Sequence, residues 1–507
     1  MANFTETRLW KTSLGQQNST ENGSPHEKLR SAFIKFRERA GQIAGEINRD
    51  LPEYTVHDIT HLDALWEMAD LIAGSDFHIT PIEAFVLGGS FLIHDLGNGL
   101  AAYPEGVATL RSNQLWNDTV TALLKKKLGY YPTQEELQTP AQEIEQEAIG
   151  IVLRNLHAKH AEKLALISWR DREVDEEYHL IEDVDLRRTF GQVIGKIAHS
   201  HWWSVDKLTS EFPTILGAPT GYPREWTVDP LKIACLLRTA DASHLDTRRA
   251  PGFLRALCKP SEYSRQHWVF QEHLQQPRLE SDRLVYSSGR GFTVEDANAW
   301  WVMFDTLKMV DSELQQVDSL LADTNRNRFL AKGVAGVDNP IRLVKWIPTE
   351  NWSPVDTHIK VANVASLVRS LGGEQLYGKN KLVPLRELIQ NGSDAIRARR
   401  LVESRQTNYG DVFIRTGKDA DGYWIEVEDN GVGMSTNVLT GAFLDFGSSF
   451  WGTSSMLTEF PGLLAKGFES TGRYGMRWSS RNGHQTLSAP SVFGFQFRFK
   501  FERRFVA

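Results

Sequence analysis

The sequence predicts a multidomain protein, an all-α half followed by an α+β half. Three observations predict it. At 507 residues the chain is longer than one core serves, at roughly 100–200 residues per domain. From about Leu29 to Leu320, apolar residues recur at three-and-four spacing, the period of a helix with one buried face. Around "AKGVAGVDNPIRLVKWIPTENWSPVDTHIK" that signal fades, and strand-like alternation takes over. The expected boundaries are a flexible leader over 1–28, a helical domain over 29–330, a linker over 331–365 and an α+β domain over 366–507.

The start, "MANFTETRLWKTSLGQQNSTENGSPHEK", has no apolar run and reads as a polar, flexible leader. The segments "KLRSAFIKFRERAGQIAGEI", "HLDALWEMADLIA", "PIEAFVLGGSFLIHDLG", "EAIGIVLRNLHAKHAEKLA", "TFGQVIGKIAHSHW" and "PLKIACLLRTADASHLD" each carry the helical period. Gly and Pro clusters such as "FPTILGAPTGYPREW" punctuate them. One patch, "HWVFQEHLQQPRLESDRLVYSS", reads as β-rich. The most apolar stretch, "IEAFVLGGSFLIHDLGNGLAA", is interrupted by Glu83, His94 and Asp95, so no membrane partner is expected. Cys235 and Cys258 are the only cysteines, which excludes a disulfide framework or a cysteine zinc site and makes a reducing cytoplasm the default. A net charge of −7 argues against broad nucleic-acid coating and leaves room for a local basic groove. In the second half, "VPLRELIQNGSDAIRARR" reads as a helix, and "DVFIRTGKDADGYWIEVEDNG" as a hairpin across an Asp-Gly turn.

The helical half delivers ionisable groups from apolar surroundings five times: His57 and His61; His94 and Asp95; His157 and His160; His199 and His201; and Asp241, His244 and Asp246. A lone His on an apolar helix is more often structural than a ligand. Five such helices favour a metal, because buried ionisable groups are costly unless paired or coordinated. Imidazole with carboxylate suits Mn, Fe, Zn or Ni. The order His, then His-Asp in "FLIHDLGNG", then a distant Asp in "LLRTADASHLDTRRAP" resembles the HD superfamily of metal-dependent phosphohydrolases. That resemblance spans most of residues 30–320. It implies an all-α HD domain with His61, His94, Asp95 and Asp241 as first-metal ligands, the metal being Mn, Fe, Zn, Ni or Mg. His61 is preferred to His57 because the apolar helix pattern continues after it. A second metal would use His157 and His201, with His160 and His199 fitting less well. Asp95 would hold metal and orient the attacking water. Arg154 and Arg238 are the foremost candidates to clamp phosphates, with Lys159, Arg248 and Arg249 nearby; for any single one, a solvated surface charge is the bland alternative.

In the second half, Glu387, Asn391 and Asp394 fall on one helix face, opposite Leu385, Ile389 and Ile396. Asp429 ends a strand in "EVEDNGVGMS", followed by Gly431, Gly433 and Met434, and "GFESTGRYGMRW" adds Gly472 and Gly475. "RELIQNGSDA", "DNGVGM" and this third element, in that order, resemble the GHKL ATPases and their heat-shock-chaperone branch. The resemblance implies a Bergerat-fold α+β sandwich that binds Mg-ATP. Asn391 would ligate the Mg²⁺, Glu387 would orient or deprotonate water as the catalytic group, and Asp429 would accept from the adenine amino group. Asp394 would lie near the base or brace the helix. Residues between Met434 and Gly472 would form a lid. Arg477 departs from the family's last motif glycine and would either crowd the phosphates or bind them. The tail after it is unlike the expected apolar helix. It reads as a frameshifted or shortened ending, or, in "FGFQFRFKF", as a real final strand.

An HD domain joined to a chaperone-type GHKL module resembles fused proteins of bacterial conflict and anti-phage systems. The expected function is a phosphohydrolase acting on a nucleotide or nucleic acid, gated by ATP through lid closure or homodimerisation. The competing reading is a chaperone-like or scaffolding ATPase with a degenerate HD domain. A histidine kinase would need a phosphoacceptor on a helix near the ATP domain, and His358 sits in a poorly helical, Pro-flanked context.

Overall fold

The computed structural model describes residues 3–16, 23–171, 173–258, 260–355, 382–419, 422–435, 438–439, 449–471, 479–480, 487–488 and 495–499. The chain forms two compact units. The first comprises Met1–Leu110 and Ile149–Thr357, the second Arg111–Ala148 and His358–Ala507.

The first unit is built on helices α1 (Gly23–Gly45), α2 (Ile59–Ala73), α3 (Pro81–Ile93), α4 (Gln142–Leu164, from Ile149 onward), α5 (Val184–Ser200), α6 (Pro230–Ser243) and α7 (Ala297–Asp323). Helix α3 lies at the centre, and every residue from Ile82 to Ile93 is buried. Its start is defined by a capping box between Thr80 and Glu83, with Pro81 in the first turn, where a missing N–H costs nothing. Glu83 has a second role. Its carboxylate accepts from the Asp229 N–H at 3.1 Å and pairs with Lys232 at 2.7 Å, tying the start of α6 to the start of α3. Helices α1, α2, α5 and α6 pack around α3. The strands of this unit are short: a hairpin of β1 (Ser168–Asp171) and β2 (Glu176–His179), and a three-stranded sheet of β3 (Arg278–Glu280), β4 (Arg283–Val285) and β5 (Gly333–Val334).

Four sequence expectations are corrected here. Residues 4–15 do not form a flexible leader. Thr7 caps the short helix Arg8–Lys11, the Arg8 N–H donates to Asp70 at 2.8 Å, and Leu9, Trp10 and Leu14 are buried. The Trp10 ring centroid lies 5.3 Å from that of Phe33 and 5.7 Å from that of Trp66. A few large apolar residues anchor this segment although it is too short to show a period. Residues 331–355 are not a linker, since Leu343 and Ile347 are buried and the Trp352 indole donates to the Phe292 carbonyl at 2.9 Å. The β-rich patch begins as a helix, Glu262–His273, and only then becomes the β3–β4 hairpin. Trp268 and Phe270 are both buried and the Trp268 indole donates to the Glu53 carbonyl, so tertiary contacts override β-propensity. Finally, residues 111–148 belong with the second unit rather than the helical one.

In the second unit, α8 (Val383–Val402) packs on β6 (Val412–Asp419) and β7 (Gly422–Asp429). These two strands form the expected hairpin, in register from Val412–Asp429 to Asp419–Gly422. The alternating tail supplies β10 (Phe495–Phe499), parallel to β7, followed in the sheet by β9 (Leu487–Ser488) and β8 (Ser479–Ser480). A core of Ala398, Met456, Leu463 and Phe468 fills the unit. The helix Gln114–Leu128 is joined to it by Asp118, fully buried, whose carboxylate accepts from the backbone N–H groups of Gly462 and Ala465, the latter at 2.8 Å. No helix among the described residues is long and apolar enough to cross a membrane.

Candidate metal centre

Five helices of the first unit bring their polar side chains to one buried point. His61 sits in the first turn of α2, His94 and Asp95 directly follow α3, and His157 is on α4. His201 caps the C-terminus of α5, and Asp241 lies in the last turn of α6. Two glycines permit the approach. A Cβ on Gly97 would come 2.6 Å from the His157 carbonyl oxygen, and one on Gly195 would come 2.0 Å from that of Glu162. Both obstructing atoms are backbone, so only glycine lets α4 lie this close to the turn after α3 and to α5.

The donor atoms form two overlapping groups, His61, His94, Asp95 and Asp241, and Asp95, His157 and His201. His94 Nε2 is 3.3 Å from Asp95 Oδ2 and 3.4 Å from Asp241 Oδ1, and His61 Nε2 is 3.5 Å from Asp241 Oδ1. The other oxygen of Asp95, Oδ1, is 3.6 Å from His157 Nε2. Asp95 therefore faces both groups with different oxygens.

The hydrogen bonds select one tautomer. Nδ1 of His94 bonds the Phe91 carbonyl at 2.9 Å, Nδ1 of His157 that of Arg154 at 2.6 Å, and Nδ1 of His201 that of Ala198 at 2.5 Å. A carbonyl can only accept, so each Nδ1 carries a proton, and in the neutral ring each Nε2 presents a lone pair to the centre. His157 and His201 face each other through Nε2 at 3.2 Å, and His94 Nε2 is buried with no hydrogen-bond partner. Lone pairs converging in a dry site repel one another unless a cation lies between them. The donor set is borderline nitrogen plus hard oxygen, and it fits a divalent transition metal.

Electrostatics agree. Burial pushes His201 down to about 4, and burial with the adjacent Arg249 does the same to His57, so these rings are neutral near pH 7. Burial also disfavours charge on His94, but Asp95 and Asp241 outweigh it and raise its pKa well above the usual value. Asp95 is held well below the carboxylate range by His94, His57 and His157 against the cost of burial. Without metal, a proton on His94 neutralises charge where a cation would.

Around the donors stand groups that the sequence reading named without giving them a place in the ligand set. His61 Nδ1 lies 2.8 Å from His244 Nδ1, with the two rings stacked, and His244 Nε2 faces Asp246 at 3.6 Å. His244 Nε2 makes no hydrogen bond, so His244 positions the His61 ring by stacking and through the Nδ1 contact. The motif "TADASHLD" carried the signal, since the two residues follow Asp241 by three and five positions, just past the end of α6. Arg249, buried, reaches His57 Nε2 at 2.8 Å and His61 Nδ1 at 3.1 Å. His57 Nδ1 bonds the Thr55 carbonyl, and His57 is in neither donor group. Of the expected phosphate clamps, Arg154 is exposed, with its guanidinium 4.8 Å from the centroid of the Tyr54 ring. Arg238 is not available: it is buried, paired with Glu313, and directed at the Ser200 carbonyl. Arg248 is likewise committed to Asp246 and Glu67. Lys159 is exposed, His160 bonds the Ala102 carbonyl, and His199 pairs with Glu162.

In the second unit, α8 and the loop after β7 are stitched together. The Val432 N–H donates to the Ala395 carbonyl at 3.0 Å, and Arg399 donates to the Asn430 carbonyl at 2.8 Å. A Cβ on Gly431 would meet that of Ala395 at 2.5 Å, and Gly392 faces Asp429. Asp429 accepts from the Gly431 N–H at 2.9 Å, and Gly433 has φ +79°. Asn391 is exposed and Met434 half-buried, whereas Glu387 is buried with one carboxylate oxygen unpartnered. Asp394, fully buried, accepts from the Thr471 N–H at 2.8 Å and from its hydroxyl at 2.7 Å, so it acts as a brace. Gly472, Gly475, Arg477 and His358 lie outside the described residues.

None of the curated proteins and none of the solved structures compared matches the chain. One family model does, HD-CE, over residues 51–316, just over half of the sequence and the whole span from which the metal donors come. The chain therefore belongs to the HD-CE family, with a His/Asp cluster suited to a divalent metal.

Proposed function

We propose that the first unit is a metal-dependent phosphohydrolase acting on a nucleotide or a nucleic acid. The observation that carries this reading is the convergence of His61, His94, His157 and His201 on Asp95 and Asp241 at one buried point. His61, His94, Asp95 and Asp241 would hold a first divalent metal, and His157 and His201 a second, with Asp95 shared. When bound, a metal here supplies Lewis acidity toward a phosphoryl oxygen and lowers the pKa of water. The protein's own groups do the rest. Asp95, at the junction of the two groups, would fix where the attacking water sits, and Arg154 and Arg249 receive the phosphate charge. His244, stacked on His61, fixes the orientation of that ring.

The second unit is proposed to bind Mg-ATP and to gate the first. The adjacency of α8 to the "DNGVGM" loop, with Asp429 and Glu387 on the facing elements, supports this reading. An effector role in bacterial conflict follows only from the resemblance of the combined architecture. The competing reading, a scaffold with a degenerate HD domain, is disfavoured because no member of the ligand set is missing.

The test is to incubate the purified chain with Mn²⁺ or Mg²⁺ and a panel of dNTPs, cyclic nucleotides, RNA and DNA, with and without ATP. Metal-dependent release of a phosphoester product, lost in Asp95→Asn, is expected. A metal-loaded protein that leaves the whole panel intact would overturn the proposal.

A further inference from the structure

We propose that Trp202 is a stacking platform for the base of the substrate, so that the metal centre takes nucleotides in preference to base-free phosphoesters. This rests on the phosphohydrolase reading above and names its substrate class. Trp202 is 63% exposed, whereas Trp66, Trp268 and Trp300 are almost wholly buried. Its neighbour shows what the fold requires of this turn: Trp203 stacks on Phe212 and lies under Lys207. Much of the Trp202 indole is thus open to a ligand, and what gives that exposure a use is its place beside the donors.

The position of Trp202 supplies that use. It directly follows His201, and its ring stands edge-on to His157, with centroids 4.9 Å apart and planes at 89°. Both histidines belong to the second donor group. On the same helix as His157, three residues earlier and hence on the same face, Arg154 lies over Tyr54, whose ring is 5.3 Å from His57. A phosphate cation, the metal donors and a free aromatic face thus occupy one neighbourhood. A nucleoside phosphate offers the matching pair, an anion and a π-face. Stacking on an aromatic side chain tolerates any base, which predicts breadth in base identity and strict dependence on a base being present.

The experiment measures binding of two probes to the full chain loaded with Mn²⁺: uridine monophosphate and ribose 5-phosphate. Uridine is used because an adenine-selective site in the second unit would not take it. Wild type is expected to bind the nucleotide about ten- to hundredfold more tightly than the base-free sugar phosphate. Trp202→Ala should lose that margin while keeping its metal content and its affinity for ribose 5-phosphate, and Trp202→Phe should retain most of it. If the alanine variant keeps the wild-type ratio, or wild type shows no preference, the stacking role is overturned and the metal reading stands. If wild type takes up no metal and binds neither probe in a metal-dependent way, both fall together. A loss of affinity for both probes at constant metal content would make Trp202 part of the phosphate subsite and refute base stacking.

Discussion

Asp95 illustrates how much a single side chain decides. One of its oxygens faces His94 and the other His157, so its substitution acts on both donor groups at once. Asp95→Asn and His94→Gln are each expected to lower bound metal, measured by elemental analysis, and to reduce hydrolysis by about 100-fold or more. His244 makes no contribution to the donor groups but holds His61, so His244→Ala should weaken metal affinity by about 10–100-fold while leaving the fold intact. Full metal content in the His94 variant would dismiss the assignment. Away from the centre, His273 offers a pH test. Burial, with Arg290 and Arg255 nearby, pushes it down to about 4, and its Nδ1 is unpartnered beside Phe292. Because the folded value lies below the unfolded one of about 6.5, the unfolded chain takes up the proton first as pH falls. The associated stability is present above pH 6.5 and lost toward pH 4, to a total of about 1–3 kcal/mol. His273→Phe should flatten the pH dependence of urea unfolding over that window, and an unchanged profile would count against it.

Between elements, the site depends on close backbone approach rather than on side-chain chemistry. Gly97 and Gly195 let α4 reach the turn after α3 and the flank of α5, which brings His157 to Asp95 and to His201. Gly97→Ala is therefore expected to disturb the second donor group more than the first. In a protein that still folds by circular dichroism, the metal stoichiometry should fall while His61, His94 and Asp241 retain one ion. Retention of two ions would show that α4 can shift without consequence. The helix Gln114–Leu128 makes the corresponding point in the second unit. Asp118→Ala leaves the backbone N–H groups of Gly462 and Ala465 without their carboxylate. It should cost that unit about 1–3 kcal/mol in thermal or denaturant unfolding, with metal content unchanged.

For the whole molecule, two compact units predict two separable chemistries. Asp429→Asn should weaken adenine-nucleotide binding by about 1–3 kcal/mol, the range for a hydrogen bond to a charged group, without altering bound metal. Calorimetry that finds equal affinity in the variant would remove the basis for a nucleotide site in the second unit. If ATP gates the first unit, the same variant should keep a basal hydrolysis rate while losing its response to ATP.

What the sequence determined by itself was the chemistry and its order. The helical period placed α2, α3, α5 and α6, and the sequence of His, His-Asp and Asp picked out residues that the fold gathers into one His/Asp cluster, because both depend on residue type and local spacing. The β6–β7 hairpin was legible for the same reason. Tertiary structure alone decided the rest. It set Arg249 against the histidines and consumed Arg238 in an ion pair with Glu313, although the two arginines look equivalent along the chain. It anchored Trp10 between Phe33 and Trp66 in a segment too short for a period to show. It assigned residues 111–148 to the second unit, through a carboxylate whose partners lie more than 340 residues away. Local pattern carries information about faces and periods, whereas these outcomes depend on which distant backbone atoms a side chain meets once the helices have packed.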